Sequence, residues 1–202
     1  MTARSREGDR RGEIARKTRE TSVTVSLHLD GTGEAEIATG IRFLDHMLDA
    51  LAHHARFDLR IHCKGDLDVD DHHTVEDCGI ALGQALAEAL GDRTGIARFG
   101  SAYAPLDEAL ARAVVDLAAR PYARAALGLR RETLGGLSCE NVPHFFASLA
   151  QSARICLHVD VLEGENDHHR TEAAFKATAL ALRAALARDG SGRIPSTKGV
   201  IA

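Results

Sequence analysis

The sequence predicts an α+β protein made by internal duplication, each half a small sheet with two helices on one face. Three observations carry this. DHHTVED at 71–77 returns as DHHRTEA at 167–173. A lone histidine precedes each pair at nearly the same distance: His46 stands 26 residues before His72, and His144 stands 24 before His168. Around these marks the order repeats. FLDHMLDALAHH or VPHFFASLAQSA comes first, then an alternating segment, an acidic loop, the histidine pair and a helix. The halves divide as 10–97 and 98–190, between a disordered tail at 1–9 and a C-terminal loop and tail at 191–202. The pattern does not decide whether helices or sheets meet between the halves.

Each element has its own warrant. Residues 12–19 and 22–29 read as strands, because Val23, Val25, Leu27 and Leu29 alternate with polar residues. Asp30-Gly31-Thr32-Gly33 is a turn, followed by a short strand at 34–38. Phe43, Met47 and Leu51 recur at helical spacing and predict a helix over 43–55. Phe57, Leu59, Ile61 and Cys63 alternate as a strand, and GDLDVDD is a loop. Residues 74–90 are the clearest helix of the first half, closed by GDRTG. Strands are predicted at 98–105, 109–118 and 121–127, with a helix over 107–119 as the alternative. A helix at 143–153 begins with Pro143 in its first turn. A strand at 156–161, a GEND turn and an Ala-rich helix at 170–188 complete the second half.

Composition narrows the function. The 202 residues are 45% apolar, and aromatics are only 4% with no Trp. The core must be mostly Ala, Leu, Val and Ile, which lets helices pack closely on sheets. A net charge of −4 argues against a general nucleic-acid binder. No apolar run approaches membrane-spanning length, and the first 20 residues lack the apolar core of a signal peptide. Cys63, Cys78, Cys139 and Cys156 show no CxxC spacing and read as reduced, mostly buried thiols of a cytoplasmic protein.

The chemistry sits in the doubled motif. On a helix His72 and Glu76 share a face, and His73 lies three residues from Glu76. The adjacent histidines diverge by about 100°, so they suit two different metal ions better than one. His168, His169 and Glu172 repeat the arrangement. With His46 and His144 the set is six histidines and two glutamates, or three histidines and one carboxylate for each of two ions. Imidazole with carboxylate suits Mn, Fe, Co, Ni or Zn. Asp71, Asp77 and Asp167 are candidates to hold imidazole N–H groups, and Asp71 and Asp167 also read as N-caps. His28, His53, His54, His62 and His158 read as non-ligands. Phosphate-binding candidates are Arg98, Arg120, Lys176 one turn beyond Glu172, and Ser196 and Lys198 in the C-terminal loop.

FLDHML, DHHTVED, PHFF and HHRTEAAFK, with the flanking RKTRET and PSTKG, together resemble the imidazoleglycerol-phosphate dehydratase family of histidine biosynthesis. The resemblance runs from about Arg11 almost to the C-terminus, and the length matches the monofunctional form. It implies the ribosomal protein S5 domain 2-like fold, and a homo-oligomer of 24 subunits built through trimers. It implies two Mn2+ ions per active site at subunit interfaces. The ligands it carries over are His46, His72, His73, Glu76, His144, His168, His169 and Glu172, their division between the ions left open. Glu20 matches an acid that contacts substrate. Arg98, Arg120, Lys176, Ser196 and Lys198 match a phosphate cradle, and Asp107 a group that orients part of the site. Ala50 departs from the Gln of many members, outside the ligand set.

The implied reaction dehydrates D-erythro-imidazole glycerol phosphate to imidazole acetol phosphate. It passes through an imidazolate held by the two metals and a diazafulvene-like intermediate. Glu20 and Glu172 are the candidate proton shuttles beside the catalytic ligands His46 and His73, with Glu20 favoured because a liganded Glu172 is a poor base. A di-metal hydrolase of a small phosphorylated substrate and a non-catalytic metal-binding assembly protein are the rival readings. An RNA-binding module, suggested by fold alone, conflicts with the acidic balance.

Overall fold

In the computed structural model, which describes residues 9–199 and 201, the two halves form four-stranded sheets of one topology. The first half runs β1 (Arg11–Lys17), β2 (Thr21–His28), β3 (Ala35–Ala38), α1 (Arg42–Ala55), β4 (Asp58–Gly65) and α2 (His72–Leu90). The second begins with β5 (Phe99–Leu106), β6 (Ala109–Asp116) and β7 (Tyr122–Ala126). A small hairpin follows, β8 (Thr133–Leu134) and β9 (Leu137–Ser138). The half ends with α3 (Asn141–Ala153), β10 (Cys156–Glu163) and α4 (Asp167–Ala185). Strand order β1-β2-β4-β3 is matched by β5-β6-β10-β7. In each sheet the first three strands are antiparallel, and the fourth joins in parallel. The tail expected at 1–9 lies, except for Asp9, outside the described residues.

Helix ends repeat as well. Arg56 closes α1 and Arg154 closes α3, both in the left-handed region at φ 60° and 53°. The next N–H groups, of Phe57 and Ile155, each reach back to the carbonyls of Ala52 and Ala150 at 3.0 Å. Both helices thus stop by one motif, with arginine where glycine is usual.

The strand expected at 109–118 forms as β6, in place of the alternative helix over 107–119, and its Ala109, Ala111, Ala113 and Val115 all face the core beneath α4. Alanine there provides helix-to-sheet closeness, not helix propensity. Two helix bounds change. α4 begins at Asp167 and ends at Ala185, where 170–188 was expected, and α2 begins at His72 and not at 74. Both histidine pairs therefore lie in the first turn of a helix.

Helices meet helices across the halves. α2 packs against α3 and α1 against α4, while α2 covers the first sheet and α4 the second. Small residues permit this. A Cβ on Gly83 would lie 2.6 Å from the Leu149 carbonyl oxygen and 2.9 Å from the Ala153 nitrogen, so α2 and α3 are in backbone contact there. Gly12 of β1 sits directly on the Ala85 carbonyl of α2, and Gly100 of β5 sits equally on the Ala181 carbonyl of α4. Three of the six phenylalanines, Phe145, Phe146 and Phe175, stack at the centre with centroids 4.7–5.7 Å apart. No helix among the described residues is long and apolar enough to cross a membrane. All four cysteines are free thiols; Cys78 and Cys139 are buried, Cys63 and Cys156 half-buried.

The DGTG turn is held by one carboxylate. Asp58 accepts from the N–H groups of Thr32 (2.7 Å), Gly33 (3.1 Å) and Glu34 (3.2 Å). Burial raises its pKa, but these bonds and the His28 side chain outweigh it and bring the value to about 2, from an ordinary 3.8. A folded value below the unfolded one means stability that is present above about pH 4 and lost as pH falls towards 2. Asp58→Asn is expected to flatten that acid loss, read as urea midpoints at pH 6 and pH 3. A fall equal to wild type would remove Asp58 from the account.

Candidate metal centre

The cross-half helix packing builds two clusters. His72 and Glu76 of α2 meet His144 of α3, and His168 and Glu172 of α4 meet His46 of α1. In each, one ligand-type atom per residue lies within 4.8 Å of the others, the spacing a bound ion bridges. Every cluster takes two residues from one half and one from the other. His144 Nε2 stands 3.3 Å from Glu76 Oε1, and this buried nitrogen has no hydrogen-bond partner. His46 Nε2 and His168 Nε2 each stand 3.2 Å from the same oxygen, Glu172 Oε2. Two imidazoles converging on one carboxylate oxygen, and a buried nitrogen with no partner, fit a divalent ion well.

Glu172 is held ready for this. Burial pushes its pKa up, but Lys176, 2.7 Å from its other oxygen, and His46 keep it below the usual glutamate range. Lys176 thus sits beside this cluster, as its place one turn beyond Glu172 predicted.

Within one chain His73 and His169 stand outside both clusters, each of which gathers three of the eight candidate ligands. The two rings of each pair are nearly perpendicular, 82° in both cases. His73 donates from Nδ1 to Asp66 at 3.1 Å, with Glu20 3.9 Å from Nε2. His169 donates to Glu108 at 2.7 Å, with Asp107 at 3.7 Å. The Asp66 carboxylate raises the His73 pKa and Glu108 raises that of His169. Glu108 itself is drawn to about 2, chiefly by the N–H of Asn166 and then by His169. Glu20 and Asp107 therefore occupy matching places in the two halves.

The three aspartates expected to hold imidazoles do not. Asp71 accepts from Ser138 N–H and Oγ and from Asn141 Nδ2, at 2.7, 2.8 and 3.0 Å. Asp167 accepts from the N–H groups of Arg130 (2.8 Å) and Arg131 (2.7 Å). Asp77 binds Arg16 and Thr21 of the first sheet. Their carboxylates face unpaired backbone N–H groups and an arginine, which claim them first. Neither Asp71 nor Asp167 caps its helix through its side chain: Asn166 caps α4, and the His72 N–H goes to Asp70. The groups that do meet imidazoles, Asp66, Glu108 and Asn141, were not singled out in the sequence. Asn141 lies one turn before His144 on the same helix, so helical spacing was the available signal for it alone.

The phosphate candidates other than Lys176 gather elsewhere. Arg98 pairs with Asp116 at 2.7 Å and donates to the Pro195 carbonyl at 2.8 Å, next to Ser196. Arg120 lies near Cys156, whose thiol pKa is raised by burial and by Asp116, with Arg120 offsetting only part of the rise. Ser196 Oγ accepts from the Lys198 N–H at 3.2 Å. The Arg98 N–H bonds to the Ala185 carbonyl at the far end of α4. At 1.5 Å per residue, Glu172 and Ala185 are about 20 Å apart along that helix.

Against known proteins, the chain matches the profile described as imidazoleglycerol-phosphate dehydratase over residues 39–182. It is 57% identical to the imidazoleglycerol-phosphate dehydratase of Phytophthora nicotianae over all of this chain, which spans 44% of that longer relative. It is 52% identical to that of Kluyveromyces lactis, over 96% of this chain and 98% of the relative. The crystal structure of the Staphylococcus aureus enzyme superposes with a TM-score of 0.80 at 38% identity, covering 88% of this chain and 99% of the other. That of the Pyrococcus furiosus enzyme in complex with (S)-C348 also gives 0.80, at 40% identity over 93% and 99%. Matched along most of its length in sequence and in fold, and carrying the doubled histidine motif on equivalent helices, the chain belongs to the imidazoleglycerol-phosphate dehydratase family of lyases.

Proposed function

We propose that this chain dehydrates imidazole glycerol phosphate to imidazole acetol phosphate with two Mn2+ ions per active site. The pair of His-His-Glu clusters carries the reading, because an imidazole ring offers two nitrogens to hold. His46, His168 and Glu172 would hold one ion and His72, Glu76 and His144 another, with His73 and His169 turned outward to ligate in neighbouring sites. When bound, the ions act as Lewis acids that stabilise the ring as imidazolate.

The chemical problem is a carbon-bound proton with no carbonyl beside it. An electron-rich ring can expel the adjacent hydroxyl and give a diazafulvene-like intermediate. Loss of the neighbouring C–H proton then gives an enol, which tautomerises to the ketone, so one water leaves in all. Glu20 is the assigned proton carrier: it is half-exposed, 3.9 Å from His73 Nε2, and outside the metal clusters. Glu172 is committed to two imidazoles and Lys176. Glu20→Gln is expected to lower turnover by about 10²–10⁴-fold with manganese content intact. Unchanged turnover would sink this role.

A complete site needs more than one copy. Arg98, Arg120, Ser196 and Lys198 would bind the phosphate and fix orientation, with Asp107 beside His169 orienting a further part. Within one chain they lie too far along α4 from the clusters for a three-carbon phosphate to span. A second copy brings the two together, in a homo-oligomer that we take to be the 24-subunit assembly. The sheet faces support association: the outer face of the second sheet exposes Phe99, Tyr103, Val114 and Tyr122, whereas the first presents Glu13, Ser26, Arg60 and Glu36 in one row. Free cysteines fit a reducing cytoplasm.

The test is an assay on imidazole glycerol phosphate with metal-free protein and added manganese. Manganese-dependent ketone formation is expected. Release of inorganic phosphate in its place would mark a di-metal hydrolase, and no turnover with either product would mark a metal-binding assembly.

A further inference from the structure

We propose that Asn141 is a positioning residue for His72 and makes the His72–Glu76–His144 cluster the tighter of the two metal sites, an assignment that rests on the metal reading above. His72 Nδ1 donates to Asn141 Oδ1 at 3.1 Å. The amide cannot turn over. Its Nδ2 donates to Asp71 Oδ1 at 3.0 Å, and an ionised carboxylate only accepts. Asp71 is itself fixed by the N–H and hydroxyl of Ser138. With the proton held on Nδ1, the lone pair of His72 is at Nε2, the nitrogen left to bind an ion. Asn141 is only 3% exposed, and both ends of its amide are used. It opens α3 three residues before His144, so one helical turn supplies a ligand and the group that aims its neighbour. The His72 and His144 rings stack with centroids 4.7 Å apart.

The other cluster lacks this device. Phe43 stands three residues before His46, as Asn141 stands three before His144. Its ring meets His168 edge-on at 5.0 Å. Among the described residues, His168 Nδ1 has no hydrogen-bond acceptor. The two clusters are alike in ligand type and differ in what stands behind the histidine: a fixed amide in one, a hydrocarbon edge in the other. Groups that hydrogen-bond the far nitrogen of a ligating histidine are typically worth 10–100-fold in metal affinity.

The test is manganese titration of the full chain followed by electron paramagnetic resonance of the free ion, together with melting of the metal-free protein. Wild type is expected to show two classes of site. Asn141→Leu should weaken the tighter class by about 10–100-fold and leave the other in place. The paired swap Asn141→Asp with Asp71→Asn, which keeps an acceptor for Nδ1 and a donor opposite it, should hold the tight class near wild type. If the leucine variant does not fold, Asn141→Ala is read in the same way. Unchanged affinities with a lowered melting temperature would assign Asn141 a purely structural role and overturn the proposal, as would two equal sites in wild type. Absence of any manganese binding by wild type overturns the metal reading itself, and the positioning role with it.

Discussion

His144→Ala is expected to leave one manganese ion per chain where wild type holds two, and to lower turnover by about a thousandfold. The substitution removes one of the three groups this chain converges on the ion and leaves His72 and Glu76 with one histidine of a neighbouring copy, a set that holds a labile divalent ion far less tightly. Losing one Lewis acid from the transition state costs several kcal/mol; about 4 kcal/mol corresponds to that thousandfold. The fold should survive. The His144 side chain is 35% exposed, and its stack on His72 contributes about 0.5–1.5 kcal/mol. Metal analysis, kinetics and melting of the metal-free variant separate these effects. Two ions retained per chain would remove His144 from the ligand set.

Gly83→Ala is expected to destabilise the chain by about 2–3 kcal/mol, against helix propensity. In an exposed helix the same change would add about 1 kcal/mol of stability. Here the new methyl meets the Leu149 carbonyl oxygen at 2.6 Å and the Ser152 Cβ at 2.7 Å. Neither partner is the free end of a flexible side chain, so α2 and α3 have to separate. Those helices carry His72, Glu76 and His144, so the same change should weaken manganese binding at that cluster more than at the other. Urea unfolding and metal titration read the two effects together. A gain in stability would show that the helices part without cost.

The fold was legible because duplication doubles each signal. Alternation in 22–29, helical spacing in 43–55 and the repeated motif all pointed one way, and the elements formed there. The β8–β9 hairpin was missed although Leu134-Gly135-Gly136-Leu137 is a strong two-residue turn, with both glycines at positive φ. The mutual facing of the helices was not legible, because a half-buried sheet and a helix stripe look alike whichever partner covers them. The site was read in part. Intervals along the chain placed His46 and His144 beside the motifs, but only tertiary packing shows that each joins the motif of the opposite half. Adjacency gave the divergence of His72 from His73. It could not give the carboxylates Asp66 and Glu108, which come from loops whose return path no local pattern encodes.

The pairing of α2 with α3 and of α1 with α4 bears on origins. Neither half owns a full cluster: each supplies a pair to one and a single histidine to the other. An unfused ancestor of one half would have had no three-ligand site alone. Two copies around a twofold axis would have had two identical ones. Joined in one chain, the two halves are free to differ, and the matching positions of Phe43 and Asn141 are one place where they do.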